Sequence, residues 1–369
     1  MVIGKRAYKV LKEMSYERLG GTKEEMSALE ILKREVDALG VENVIEEFEV
    51  NSYKIQKAEF VVTKPKRQVY NVNGFGMCGS TAPEGVTTEF FYLENPKQVN
   101  LFDLKGKTVL VTSPLGYQLY EDLVKAEVAA IVTASGSIYD DIKNTDLEEK
   151  SLRERHYKNG KIPCFTMRMA DCEKLVLSNP EEVNFTLVQE EKTATSHNLV
   201  ATILGSEKPE EIVCFTAHYD SVRFSTGAYD NGTGSVTILE VLHYFVKHKP
   251  KRTLKFIWCG SEEMGLLGSH AYVNQHKDEL EKHKLCLNVD MTGVPLGRDI
   301  AVCTSEMSLV NYIDYYAKNI GFVIDTNQGV YSSDSTPFAY NNVPAVSFAR
   351  IAPRGGAEIM RSSCFFFLN

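Results

Sequence analysis

The run TLKFIW (residues 253–258) alternates and then turns continuously apolar, the pattern of a strand buried on both faces. From residue 194 onward, such runs alternate with segments of helical period. NLVATILG, EEIVCFTAH, TLKFIWC, KLCLNVDMTG and VPAVSFAR read as strands. GSVTILEVLHYFVKHKP, SHAYVNQHKDELEKHK and SLVNYIDYYAKNIGF read as helices, with Pro250 after the first and Gly321 closing the last. This alternation predicts an α/β fold with a mostly parallel, doubly wound sheet. The first 50 residues read as helical, with EEMSALEILKREVDALG ending on Gly40 as a C-cap. VENVIEEFEVNSYKIQKAEFVV then alternates like a strand.

The texture changes between residues 56 and 193. Short apolar runs (EFFYL, KTVLVTS, AAIVTAS, VNFTLVQ) are separated by polar loops, and LYEDLVKAEVAAIVTAS suggests a helix feeding a strand. DDIKNTDLEEKSLRERHYKNGK reads as a charged, solvated segment. The pattern predicts a smaller β-rich domain, 56–193, inserted into a main domain formed by 1–55 and 194–369.

Composition narrows the partners. The chain has 369 residues, 43% hydrophobic and 24% charged, with net charge −8. That is globular composition, and no strongly basic segment invites nucleic acid or an anionic membrane. The N-terminal stretch MVIGKRAYKVLKEMSYERLGG is charged and amphipathic. It lacks the apolar core of a signal peptide, and no apolar run reaches membrane-spanning length. A cytoplasmic location is the expectation. Eight cysteines form no C-x-x-C pair and several lie in apolar runs, so they are expected as buried thiols rather than disulfides or metal ligands.

The candidate chemistry sits at strand ends, where open α/β sheets bind ligands. EIVCFTAH ends in His218-Tyr219-Asp220, TLKFIWC ends near Glu262-Glu263, and KLCLNV ends in Asp290. Asp230 lies in GAYDNGTGS, just before a long helix. Oxygen and imidazole ligands of this kind suit zinc, cobalt or manganese. Asp230, in a glycine-rich turn, is the best candidate to bridge two ions. His218 and Asp220, at i and i+2 on a strand, share a face, so Asp220 can orient the histidine. Neighbouring Glu262 and Glu263 point apart; one can ligate metal while the other takes a proton from water. Each residue also has an ordinary alternative. Asp230 could cap the helix, the glutamates could be a solvated helix start, and His218 could be structural. No G-x-S-x-G elbow is visible, and no GxGxxG or GxxxxGK[ST] run supports nucleotide binding.

AHYDSV, GAYDNGTGSV, WCGSEEMGLLGSHAYV and LNVDMTG together resemble the M28 family of zinc metallopeptidases, which includes aminopeptidases. SSDSTPFAYNNVPAVSFAR is similar to the family's late strand-and-loop region. KGKTVLVTS and GKIPCFTMRMADCEKLV loosely resemble a protease-associated (PA-type) insert. The resemblance implies two zinc ions. His218 and Asp290 would bind one, Asp230 would bridge both, and Glu263 would bind the second. It also implies Glu262 as general base, Asp220 as the carboxylate behind the metal site, and peptides cut at their N-terminal residue as substrates.

One departure from the family pattern concerns the tail. The family's last histidine ligand has no counterpart: no histidine follows His283, and Met360 stands in the expected place. A thioether is a poor zinc ligand. The expectation is a truncated or frame-shifted tail, a weakly held second metal and impaired activity. Two other readings compete: a single-zinc acyl transferase like the glutaminyl cyclases, and a non-catalytic binding protein using the PA-like module. An intact Glu262 speaks against the second.

Overall fold

The computed structural model describes residues 4–351. They form two compact units, one of residues up to Val50 together with those from Ala194 onward, the other Asn51–Thr193. The sequence placed the first boundary at 55/56. Both that point and the division at Val50/Asn51 lie within a single strand of 23 residues, Glu42–Lys64.

The N-terminal helices are α1 (Gly4–Glu13) and α2 (Lys23–Asp37), followed by β1 (Glu42–Lys64). The inserted unit contains β2 (Gln68–Tyr70), β3 (Val72–Gly76), β4 (Val86–Tyr92) and β5 (Thr108–Val111). After α3 (Tyr117–Lys125) come β6 (Ala130–Ser135), β7 (Lys150–Ser151), α4 (Glu154–Tyr157), β8 (Cys164–Arg168) and α5 (Met169–Leu177). β9 (Glu182–Ile203) returns the chain to the first unit. There it continues through β10 (Lys208–His218), α6 (Thr233–Lys247), β11 (Arg252–Cys259), α7 (Leu267–Gln275) and β12 (His283–Val289). β13 (Arg298–Cys303), α8 (Met307–Asn319), β14 (Asp325–Gln328), α9 (Ser335–Tyr340) and β15 (Ala345–Ile351) complete the described chain.

In the first unit β11, β10, β12 and β15 pair in parallel. β9 joins antiparallel beside β11, and β13 antiparallel beside β15. The sheet is therefore mixed, with a parallel centre. Both faces of its central strands are covered, as their continuous apolar character requires. Phe256 and Trp258 pack on one face with α1, α2 and α6 through Val10, Leu29, Leu32, Leu239 and Leu242. Ile257 and Cys259 pack on the other with Tyr272 and Phe338. Trp258 is fully buried, and its indole N–H donates to the Ser235 carbonyl at 3.0 Å.

SHAYVNQHKDELEKHK is not one helix. α7 ends at Gln275, a 3₁₀ segment spans Lys277–Lys282, and His283 already belongs to β12. His283 is buried and shares a hydrogen bond with the Tyr272 hydroxyl at 3.1 Å. The seven described cysteines are all buried and unbridged.

The inserted unit has the pairing order β3-β8-β6-β5-β4, with β8, β6, β5 and β4 parallel and β3 antiparallel. Its core is separate and includes Phe60, Val109, Tyr120, Ile131, Phe165 and Phe185. No helix among the described residues is long and apolar enough to cross a membrane.

His276, just past α7, is held between two acids. Its Nε2 lies 2.8 Å from Glu46 Oε1 and its Nδ1 2.6 Å from Glu279 Oε1. The Glu46 hydrogen bond raises its pKa against burial and the charge of Lys255. A histidine with a raised folded-state pKa adds stability that is fully present below its unfolded value, about 6.5, and fades as pH rises through the folded value. In urea unfolding, His276→Gln should therefore show its largest stability deficit below about pH 6.5 and a smaller one in alkali. A deficit that does not change with pH would rule out a protonated His276.

Candidate metal centre

The strand register brings the site together. His218 pairs opposite Cys259 on one side, and Thr216 pairs opposite Asn288 on the other. His218, the Glu262 turn and Asp290 thus leave the sheet at one level, at the carboxyl ends of parallel strands.

His218 is buried, with its two ring nitrogens facing different partners. Nδ1 lies 3.2 Å from Asp220 Oδ1. With Nδ1 engaged by that carboxylate, Nε2 is the nitrogen turned toward the remaining acids. Around Nε2 lie Asp230 Oδ1 at 3.1 Å, Asp290 Oδ1 at 3.6 Å and Glu262 Oε2 at 3.9 Å. His218, Asp230 and Asp290 offer ligand atoms that all lie within 4.8 Å of one another. Glu263 is not part of that group.

Asp230 does not cap α6. That task falls to its neighbour Asn231, whose Oδ1 accepts the Gly234 amide at 2.9 Å. Asn231 also accepts the Met291 amide at 3.1 Å and donates to the Val289 carbonyl at 2.9 Å. It grips the chain on both sides of Asp290, so the two aspartates keep a fixed separation. The turn before Asp230 is held by Arg18, a fully buried arginine. Its guanidinium donates to the carbonyls of Met14, Tyr16, Tyr219, Thr226 and Gly227. Gly227 has φ 60°, and a Cβ there would lie 2.3 Å from the guanidinium, so the approach requires glycine.

Glu262 and Glu263 are not a solvated helix start. Glu262 is buried, and α7 begins only at Leu267. Their amides donate to Asp220, Glu262 N to Oδ1 at 3.0 Å and Glu263 N to Oδ2 at 3.2 Å. Asp220 therefore fixes both the histidine ring and the turn carrying the glutamates.

The acids crowd one another. Burial raises the pKa of Glu262, with Asp334, Glu263 and Asp290 adding to it against the His218 charge. Burial and then Asp230 push Glu263 up to about 8. Burial alone would lower the His218 pKa, but Glu262, Asp220, Asp230 and Asp290 raise it. Asp290 Oδ1 is buried and accepts no hydrogen bond. Asp334 is fully buried, and neither of its oxygens has a hydrogen bond of standard geometry, although Ser269 and Cys259 lie close enough to influence its charge. Convergent carboxylates with an orphaned oxygen beside an imidazole nitrogen fit a divalent cation of the zinc type.

Arg350 is engaged elsewhere, with Asp299 at 2.8 Å and the Val294 carbonyl at 2.6 Å. Met360 and the tail lie outside the described residues. Arg18, Glu25, Asp334 and Tyr331 were not singled out by sequence reasoning. The Tyr331 hydroxyl is buried without a hydrogen bond, and its ionisation is suppressed by burial and then by Asp290 and Asp230.

A family model described as Peptidase family M28 matches residues 198–361. Carboxypeptidase Q of Mus musculus is 28% identical over 326 residues, covering 80% of this chain and 69% of that protein. Aminopeptidase YwaD of Bacillus subtilis (strain 168) is 28% identical over 259 residues, covering 65% of this chain and 57% of that protein. Among solved structures, the zinc aminopeptidase BSAP from Bacillus subtilis superposes with a TM-score of 0.78 at 23% identity, covering 96% of this chain and 86% of that one. The aminopeptidase from Aneurinibacillus sp. strain AM-1 gives 0.74 at 20% identity, covering 99% and 93%. These structures share the fold, and the segment bearing His218, Asp230, Glu262 and Asp290 is the one the family model matches. Over residues 198–361 the chain is thus similar to peptidase family M28.

Proposed function

We propose that this protein is a metal-dependent aminopeptidase that removes N-terminal residues from peptides, with zinc as its metal. The observation that carries the reading is the arrangement around His218 Nε2, faced by Asp230, Asp290 and Glu262 at 3.1, 3.6 and 3.9 Å. Related proteins bear both aminopeptidase and carboxypeptidase names. The acid-rich site favours a substrate's amino group over its carboxylate. Arg18 is occupied by carbonyls and Arg350 by Asp299, so neither offers a carboxylate a cation.

His218, Asp230 and Asp290 would hold zinc, with Asp230 as the shared ligand and Glu263 for a second ion. Bound zinc supplies Lewis acidity at the scissile carbonyl and lowers the pKa of water. Glu262 takes the proton of the attacking water as the new C–O bond forms. It returns that proton to the nitrogen as the C–N bond breaks and the amine leaves. Burial favours the protonated form of Glu262, so the carboxyl can hold the proton between the two steps. Asp220 keeps His218 in the tautomer whose Nε2 faces the acids. The unit 51–193 would serve as a PA-type insert, and the cytoplasm as the site of action.

Glu262→Gln should lower turnover of a leucyl chromogenic substrate by roughly 10²–10⁴-fold with metal content unchanged. Wild-type turnover in that variant would remove Glu262 from the mechanism. N-acetylated peptides should be resistant; release of C-terminal residues from them would make the protein a carboxypeptidase instead. Metal content after dialysis decides whether the second site is filled. Two ions per chain would show that it forms despite Met360.

Asp290→Asn removes one of the mutually repelling acids. In chelator it should melt no lower than wild type. Added Zn²⁺ should then stabilise wild type, by about 2.7 kcal/mol at a hundredfold excess over Kd, and leave the variant unmoved. An equal rise in both proteins would show that Asp290 is not a ligand.

A further inference from the structure

Glu25 stands in the first turn of α2, which Thr22 caps by accepting the Glu25 amide at 3.3 Å. A glutamate three residues past a capping threonine ordinarily turns its side chain back on the start of its own helix. Only half of this one does. Oε2 accepts the Gly21 amide at 2.7 Å. Oε1 reaches a turn 236 residues further along the chain, where it accepts the Ser261 amide at 2.9 Å and the Ser261 hydroxyl at 3.2 Å. It also accepts the Ser196 hydroxyl at 2.8 Å. Glu25 is fully buried.

Ser261 immediately precedes the two glutamates and has φ 52°, in the left-handed region that disfavours side chains. Three successive amides now have carboxylate acceptors: Ser261 gives to Glu25, while Glu262 and Glu263 give to Asp220. The packing leaves no slack. A Cβ at Gly20 would lie 2.3 Å from Ser261 Oγ, and one at Gly260 2.8 Å from Glu25 Oε1.

We propose that Glu25 is a positioning residue for Glu262 and Glu263. Asp220 holds the two amides of the glutamates, but rotation about the Ser261 backbone would still swing both side chains. Glu25 removes that freedom by binding the preceding amide and hydroxyl. The inference rests on the reading that Glu262 and Glu263 act at a metal site.

The test compares Glu25→Gln with Thr22→Ala. Both weaken the start of α2, but only the first disturbs Ser261, because a glutamine has one acceptor oxygen for amides that now use two. Glu25→Gln should lower kcat on leucine p-nitroanilide roughly 10- to 100-fold, and weaken Zn²⁺ in chelator competition by a similar factor. KM should stay within about twofold. Thr22→Ala should match wild type in all three. If Glu25→Gln behaves as Thr22→Ala does, Glu25 is only a helix cap and the proposal falls. Should wild type show no aminopeptidase turnover, the proposed function fails, yet hydrogen exchange in chelator still decides this inference. Faster exchange of the 260–264 amides in Glu25→Gln alone supports it; equal exchange in the two variants overturns it.

Discussion

Asp220 makes three hydrogen bonds with two oxygens: to the ring of His218 and to the amides of Glu262 and Glu263. These groups come from the ends of two neighbouring parallel strands. Backbone pairing of β10 with β11 sets their level but not the direction in which the chain leaves the sheet. Asp220 sets that direction. A buried carboxylate with donors on every side is held rigid, so one side chain fixes both the imidazole and the acids that face it.

The cost is a concentration of like charge. Six acids, Asp220, Asp230, Glu262, Glu263, Asp290 and Asp334, lie in one region around one histidine. Burial pushes Asp334 up to about 6 as well. Local groups answer part of this repulsion. Arg18 contributes a buried positive charge whose field reaches Asp220, Asp230 and Glu263. Its donors go to carbonyls and not to the acids, so the carboxylates keep their lone pairs free for a ligand. The fold thus stabilises the cluster electrostatically without occupying it.

Much of this was legible along the chain. The strands whose ends carry His218, Glu262 and Asp290 are buried on both faces, and their apolar runs say so. Strand direction is not encoded in periodicity, so the antiparallel flanks β9 and β13 did not show. Nor did the break after Gln275, where the charged residues of KDELEK suit a helix and a 3₁₀ turn equally. Asp230 looked like a cap because Asn231, beside it, is one. Arg18 and Glu25 were hidden for a different reason. YERLGGTKEE has the texture of a solvated surface, and the groups that bury its charges lie some 200 residues downstream. The T-x-x-E spacing announced a helix start, but not the reach to Ser261.

That separation bears on how the chain is made. Arg18 closes onto Tyr219 and Gly227, and Glu25 onto Ser261, across 201, 209 and 236 residues. The inserted unit has a core cluster of its own, drawn from residues between Phe60 and Leu187. During synthesis it can condense while the N-terminal segment is still waiting for the strands it will join. Distant closures of this kind carry the largest loop entropy and come late in folding. The segment holding Arg18 and Glu25 is made well before its partners and is among the last to find its place. Until then the side chains of Arg18 and Glu25, later sealed from solvent, stay hydrated.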